Sequence, residues 1–221
     1  MNIFDVMGPI MVGPSSSHTA GAVRIGLMAR KLLGAPPIGI SLLLHGSFAA
    51  TGTGHGTDKA LVAGMLGMSP DDPRIPQAFF LADQLGIALS VGAIALRGAH
   101  PNTVVAKAMS ADGRRLELNA SSLGGGRVRI NSIDGLDAAF TGDLPTLIIR
   151  NEDRPGQVAE VATLLSEHQV NIATMQLYRD QRGGLAVMVI ESDQPINPAV
   201  IHALSDLPGI VRVVYLNMDE P

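Results

Sequence analysis

The chain has 221 residues, with 46% hydrophobic, 3% aromatic and 16% charged side chains, and 16 Lys+Arg against 20 Asp+Glu give a formal charge of −4. That length holds one large domain or two modest ones with a real core. The mild charge, the lack of like-charge runs and the absence of Trp argue against a nucleic-acid surface or a polybasic membrane patch.

Cysteine is also absent. This removes disulfides, thiol nucleophiles and thiolate-ligated zinc or iron–sulfur centres from the chain itself. The first residues lack the basic and apolar regions of a secretory signal, and no apolar run approaches about 18 residues. A soluble cytoplasmic protein is therefore expected.

In chain order, GPSSSHTAG at residues 13–21 places three serines, His18 and Thr19 where a helix over residues 17–33 begins. Val23, Leu27 and Leu32 carry the helical spacing, and Gly34 supplies the stop before Pro36 and Pro37. A hydroxyl-rich helix start is either a Ser17 N-cap with solvated neighbours or a seat for an anion. IGISLLLHGSFA at residues 38–49 has strand length and composition, although a buried helix shares that pattern. In GTGHGTDKA, His55 falls between glycines on an expected loop, and Thr57 or Asp58 is expected to cap a short helix through KALVAGMLG. Histidine titrates near neutrality and can move a proton, so His55 is a candidate acid/base.

A further helix is expected within PQAFFLADQLG, and from residue 87 the pattern changes to period two. Strands follow in IALSVGAIALRG, TVVAKAMS, RRLELNAS and RVRINSI, with ADGR as a hairpin turn. His100 and Asn102 in HPNT read equally as turn chemistry or as site polar groups, and Gly124–Gly126 reads as a tight loop between strands. Helices early and strands late predict a mixed-sheet α+β domain over residues 1–133, covered mainly on one face. Residues 134–143 read as a short acidic linker, and residues 144–217 give the order β-α-β-β-α-β, a ferredoxin-like split unit.

The C-terminal unit resembles an ACT domain, the small amino-acid-sensing module of many metabolic enzymes. NEDRPGQVAEV at the first strand–helix junction and NIATM opening the second strand carry the likeness. Pro155 suits a first helical turn, and Gly156 admits close approach of backbone or ligand. The resemblance implies an effector site at Asn151, Arg154, Pro155, Gly156 and Asn171, and homo-oligomerisation through this unit.

The N-terminal domain resembles the beta chain of iron–sulfur-dependent L-serine dehydratase (L-serine deaminase). GPSSSHTAG, GTGHGTDKA, HPNT and SSLGGGRV carry the match in order, and the likeness extends through the ACT unit. A related domain serves as an allosteric substrate-binding module in some phosphoglycerate dehydrogenases. The resemblance implies a serine ammonia-lyase giving pyruvate and ammonia, with roles in serine catabolism and gluconeogenesis. Its substrate-binding residues would be Ser15, Ser16, Ser17, His18, Thr19, His100 and Asn102, with His55 catalytic. With serine as substrate, the anion seat is the better reading of the serines, because a carboxylate needs several donors.

That family uses a 4Fe-4S cluster with one iron open as a Lewis acid toward the leaving hydroxyl. A chain without cysteine cannot hold it, so the resemblance implies a two-chain enzyme whose separate alpha chain ligates the cluster, with no metal ligand here. The other reading is a non-catalytic sensor pairing a ligand-binding domain with an ACT domain. No dinucleotide fingerprint is present, which excludes a dehydrogenase.

Overall fold

The computed structural model describes residues 10–13 and 15–219. The chain divides into two compact units that part between Asp134 and Gly135.

In the first unit the expected helix over residues 17–33 is two pieces: a π-helical turn, Ser16–Ala20, runs directly into α1, Gly21–Leu33. Gly34 ends α1 in the left-handed region at φ 77°. Then come β1 (Pro37–Leu44), α2 (Ser47–His55), α3 (Thr57–Met65), α4 (Ala78–Gln84) and β2 (Ala88–Ala93). β3 (Thr103–Ser110), β4 (Arg115–Gly124) and β5 (Arg127–Ile133) complete this unit. The sheet order within it is β2-β1-β3-β4-β5, with β1 and β2 parallel and the other neighbours antiparallel.

One face of that sheet is covered by α1. Val23, Ile25, Met28 and Leu33 of α1 are fully buried, as are Leu118, Ala120 and Ser122 of β4. Period two then sends Glu117, Asn119, Ser121 and Leu123 to the opposite face. α1 and α3 touch backbone to backbone. A Cβ added at Gly26 would lie 2.2 Å from the Leu61 carbonyl oxygen, and one at Gly64 would lie 2.1 Å from that of Val23. Only glycine permits this crossing.

Two expectations change here. His55 is the last residue of helix α2 rather than part of a loop, because SFAATGT continues the helix from Ser47. Neither Thr57 nor Asp58 caps α3. Gly56, left-handed at φ 67°, is its N-cap and has no side chain to offer the helix end. Asp58 sits in the first turn and accepts from the Lys59 N–H at 2.8 Å, where its charge suits the helix dipole. The ADGR hairpin forms as expected, with Gly113 at φ 84°. Gly124, Gly125 and Gly126 turn β4 into β5 at φ 93°, 62° and 78°.

All but the first residue of the stretch expected as a linker belongs to the second unit. Residues 134–143 instead carry strand β6, Leu136–Phe140. Ala138 and Phe140 point inward in period two, and the Gln176 amide donates to the Ala139 carbonyl at 3.1 Å. Small residues had hidden that alternation. β7 (Thr146–Glu152), α5 (Gln157–Glu167), β8 (Ile172–Arg179), β9 (Leu185–Ser192), α6 (Pro198–Ser205) and β10 (Ile210–Leu216) follow.

The sheet order β10-β7-β9-β8, antiparallel throughout, is that of the ferredoxin-like split unit. Leu147, Ile149, Val161, Leu165, Met188 and Leu204 fill the space between sheet and helices. Pro155 lies just before the N-cap of α5 rather than in its first turn, because Gly156 is that cap, left-handed at φ 96°. The α+β class and the βαββαβ order are those of the structure.

Candidate active site

The π-helical turn is the centre of the polar chemistry. Such turns hold one extra residue per turn and frequently mark functional sites. Ser15, extended at φ −136°, caps it by accepting from the His18 N–H at 3.2 Å. His18 is 9% exposed. Its Nδ1 lies 3.0 Å from Ser17 Oγ and 3.3 Å from Ser15 Oγ, and its Nε2 lies 3.1 Å from Ser47 Oγ at the start of α2. The ring is thus fixed at both nitrogens.

Two rings pack edge-on against it at centroid distances of 5.3 Å: buried Phe48, and His55 at the exposed end of α2. Burial first, and then the neighbouring His55 charge, push the His18 pKa below its ordinary value, against a hydrogen bond with Ser47 that raises it. A neutral imidazole at neutral pH is the consequence. The arrangement places a buried, oriented neutral histidine beside an open one, which suits proton transfer to a molecule entering from the His55 side.

Around the same turn, hydroxyls go without partners. Thr19 Oγ1, Thr57 Oγ1 and Ser122 Oγ are buried and make no hydrogen bond among the described residues. Each unmade bond costs about 1–3 kcal/mol, and clustered orphans of this kind call for a ligand or an ordered water. Gly21 exists for this packing, since a Cβ there would lie 2.1 Å from Ser122 Oγ. Ser16 Oγ accepts from the Gly125 N–H at 3.3 Å, so the triple-glycine turn closes over the serines.

Of the expected residues, the structure brings together Ser15, Ser16, Ser17, His18, Thr19 and His55. Asn102 stands at the edge of the group, its backbone carbonyl accepting from Ser122 N–H at 2.9 Å and its amide 3.5 Å from the Ser122 carbonyl. His100 does not join them. It is exposed, accepts from the Asn102 N–H at 3.1 Å and lines a different cavity. Reading the sequence missed Ser47, Phe48, Ser122 and His45. His45 Nδ1 accepts from the Leu96 N–H at 3.2 Å and so ties the segment after β2 to the start of α2. None of these has a local signature, because each acts across a long sequence separation.

In the second unit Asn151 and Gln157 are each 2% exposed, and their side-chain carbonyl oxygens have no partner among the described residues. The Asn151 amide donates to the Glu152 carbonyl at 2.7 Å, and that of Gln157 to the Pro208 carbonyl at 2.9 Å. Arg154 stands 3.4 Å from the Glu152 carboxylate and packs against Gly209. Pro155 and Gly156 complete this strand–helix junction, where Gln157 had not been expected. Asn171 is elsewhere, exposed and bonded to the Asp193 carboxylate.

The chain thus joins an α+β unit with a histidine pair over a hydroxyl-lined helix start to a ferredoxin-like unit. Residues 2–85 match the serine dehydratase beta chain family and residues 145–209 the ACT domain. The chain is 40% identical to the probable L-serine dehydratase beta chain of Bacillus subtilis, over 97% of each. It is 35% identical to the L-serine dehydratase beta chain of Peptoniphilus asaccharolyticus, again over 97% of each. The D-3-phosphoglycerate dehydrogenase of Bacillus subtilis is 26% identical over 89% of this chain but 37% of its own length. This chain belongs to the L-serine dehydratase beta chain family.

Proposed function

We propose that the chain is the beta subunit of an L-serine ammonia-lyase, working with a cysteine-bearing alpha chain to convert L-serine to pyruvate and ammonia. The observation that carries this reading is the full-length similarity to beta chains in a chain that has no cysteine. A 4Fe-4S cluster needs thiolates, so the residues present do not fit it. Among the described residues no group of three His, Cys, Asp or Glu is arranged for a metal either. The cluster is therefore assigned to the alpha chain.

What this chain contributes is a seat and a proton path. Ser16, Ser17 and Thr19, with the N–H groups of the turn, hold the substrate carboxylate, and the orphaned Thr19 and Ser122 hydroxyls support that role. His18, neutral and pinned between Ser17 and Ser47, orients the bound molecule. His55, at the open side, exchanges the proton at the α-carbon. Asn102 steadies the Ser122 backbone beside the seat. In the second unit, Asn151, Arg154, Pro155 and Gly156 with Gln157 form the effector junction, and that unit supports self-association.

The similarity to part of a phosphoglycerate dehydrogenase favours a second reading, a regulatory module without chemistry of its own. Anaerobic reconstitution separates the two. The chain alone should be folded, colourless and inactive, and addition of the alpha chain should restore serine-dependent pyruvate formation. Pyruvate production by this chain alone would refute the two-chain reading, and failure of any alpha chain to bind it would favour the regulatory one.

A further inference from the structure

The sheet face opposite the histidine pair bears a second cavity, of about 650 Å³, lined by Arg97, His100, Asn119, Ser121, Arg129 and Asn131 among others. The alternation along β4 puts Asn119 and Ser121 here while Leu118, Ala120 and Ser122 face α1. Its floor is ordered by hydrogen bonds that run one way. The Asn131 amide donates to Ser121 Oγ at 2.9 Å and to Asn119 Oδ1 at 3.1 Å. The Thr103 hydroxyl gives its proton to the His100 carbonyl at 2.6 Å, so at 2.8 Å it accepts from the Ser121 hydroxyl. Every hydroxyl proton of the floor is committed. The Asn119 amide N–H groups have no partner among the described residues and are left to a ligand.

The charge here is unbalanced. Among the described residues no Asp or Glu lines the cavity, although the chain carries a net charge of −4. Elsewhere in this unit Arg74 has Asp72 at 2.6 Å, Lys107 has Glu117 at 2.7 Å and Arg114 has Asp112 at 2.8 Å, while exposed Arg115 and Arg127 have no such acid among the described residues. Among the described residues neither Arg97 nor Arg129 has such a partner, and both converge on one hollow. Guanidinium forks match carboxylate and phosphate oxygens in pairs, and the volume lies in the range of small-molecule sites.

We propose that this cavity binds a small oxyanion, carboxylate or phosphate in class, between Arg97 and Arg129 with the Asn119 amide beneath it. The site is distinct from the substrate seat but mechanically joined to it. Pro101, next to His100, accepts through its carbonyl from Ser47 N–H at 2.8 Å and Phe48 N–H at 3.4 Å, and Ser47 holds His18. A ligand that grips the His100 loop therefore acts on the segment that positions the imidazole.

Calorimetric titration of the full chain at low ionic strength tests this, with inorganic phosphate and malonate as separate probes. One of them should bind at one site per chain, and the tighter of the two assigns the source as phosphoryl or carboxylate. Arg97→Ala and Arg129→Ala should each weaken that binding at least tenfold, while Arg115→Ala on the same face and His55→Ala in the other site leave it unchanged. Absence of heat with both probes overturns the proposal. So does binding that survives both arginine substitutions, or binding that His55→Ala removes.

Discussion

Thr19 and Thr57 in the first unit and Asn151 and Gln157 in the second are orphaned where the chain enters a helix, but the two units assemble these groups differently. In the second unit the junction is local. Asn151, Arg154, Gly156 and Gln157 lie within one short segment, and only Pro208 and Gly209 come from afar. In the first unit the site is drawn from three distant segments: the π-helical turn, the start and end of α2, and the β4–β5 turn. A local junction can be read and altered residue by residue. A composite site depends on the packing that brings its parts together, and is sensitive to changes well outside it.

The largest effect should come from the composite site itself. In the assembled enzyme, His55→Ala should lower kcat by about 10²- to 10⁴-fold with little change in KM, the scale of a lost proton-transfer group. Steady-state kinetics decide this, and an unchanged kcat would remove His55 from the chemistry. Next, Gly64→Ala should cost about 2–3 kcal/mol by forcing α1 and α3 apart. A lowered denaturation midpoint should come with a raised KM, because the turn that carries His18 rides on α1. Loss of stability with normal kinetics would show that the seat does not depend on that crossing.

Ser16→Ala is the finer probe. If Ser16 seats the carboxylate, kcat/KM should fall roughly 10- to 150-fold at nearly constant melting temperature, the scale of about 1.5–3 kcal/mol for a bond to a charge. If the serines only cap the turn, the same change lowers the melting temperature and leaves the kinetics alone. In the second unit Gly156→Leu should cost about 1–2 kcal/mol, because φ 96° is strained for any side chain. It should also abolish any effector response while sparing basal turnover, and a retained response would move the effector site away from the junction.

The smallest effect is one of pH. The folded-state pKa of His18 is lowered, so the unfolded chain takes up the proton first. Stability from this residue is therefore complete above about pH 6.5 and is lost as pH falls below it. Melting temperature should decline from pH 7.5 to 5.5, and His18→Gln should flatten part of that decline.

What the sequence disclosed follows the same division. The βαββαβ order was legible because its periods are strong and its turns carry Gly and Asn, and the strand–helix junction at residues 151–156 because it is contiguous. SSSHT was legible as a polar helix start, but its π-helical form was not, since the extra residue is set by the contacts of His18 with Ser47 and of Ser16 with Gly125. His55 was assigned to a loop because the glycines of GTGHG weaken any helical reading, and tertiary packing overrode them. Strand β6 was lost because Ala138 and Ala139 and the flanking Asp134, Gly135 and Gly142 read as a small, acidic linker. The Gly26–Gly64 crossing had no signal at all in one sequence, because a glycine needed for close approach looks like any other until its neighbour is seen.

β1 and β2 lie side by side in parallel, yet α2, α3 and α4 intervene between them along the chain. The β3–β4 hairpin closes a short loop and can form within microseconds, whereas the β1–β2 pairing must close a long one and comes later. Ser47 and His55 sit inside that long loop, while His18 lies before it. The imidazole pair is accordingly expected to be completed late in folding, after the local hairpins are made. On a ribosome, a nascent chain that has not yet delivered β2 would carry every residue of the pair without the pairing, and pulse-labelled hydrogen exchange should find α2 protected after β3 and β4.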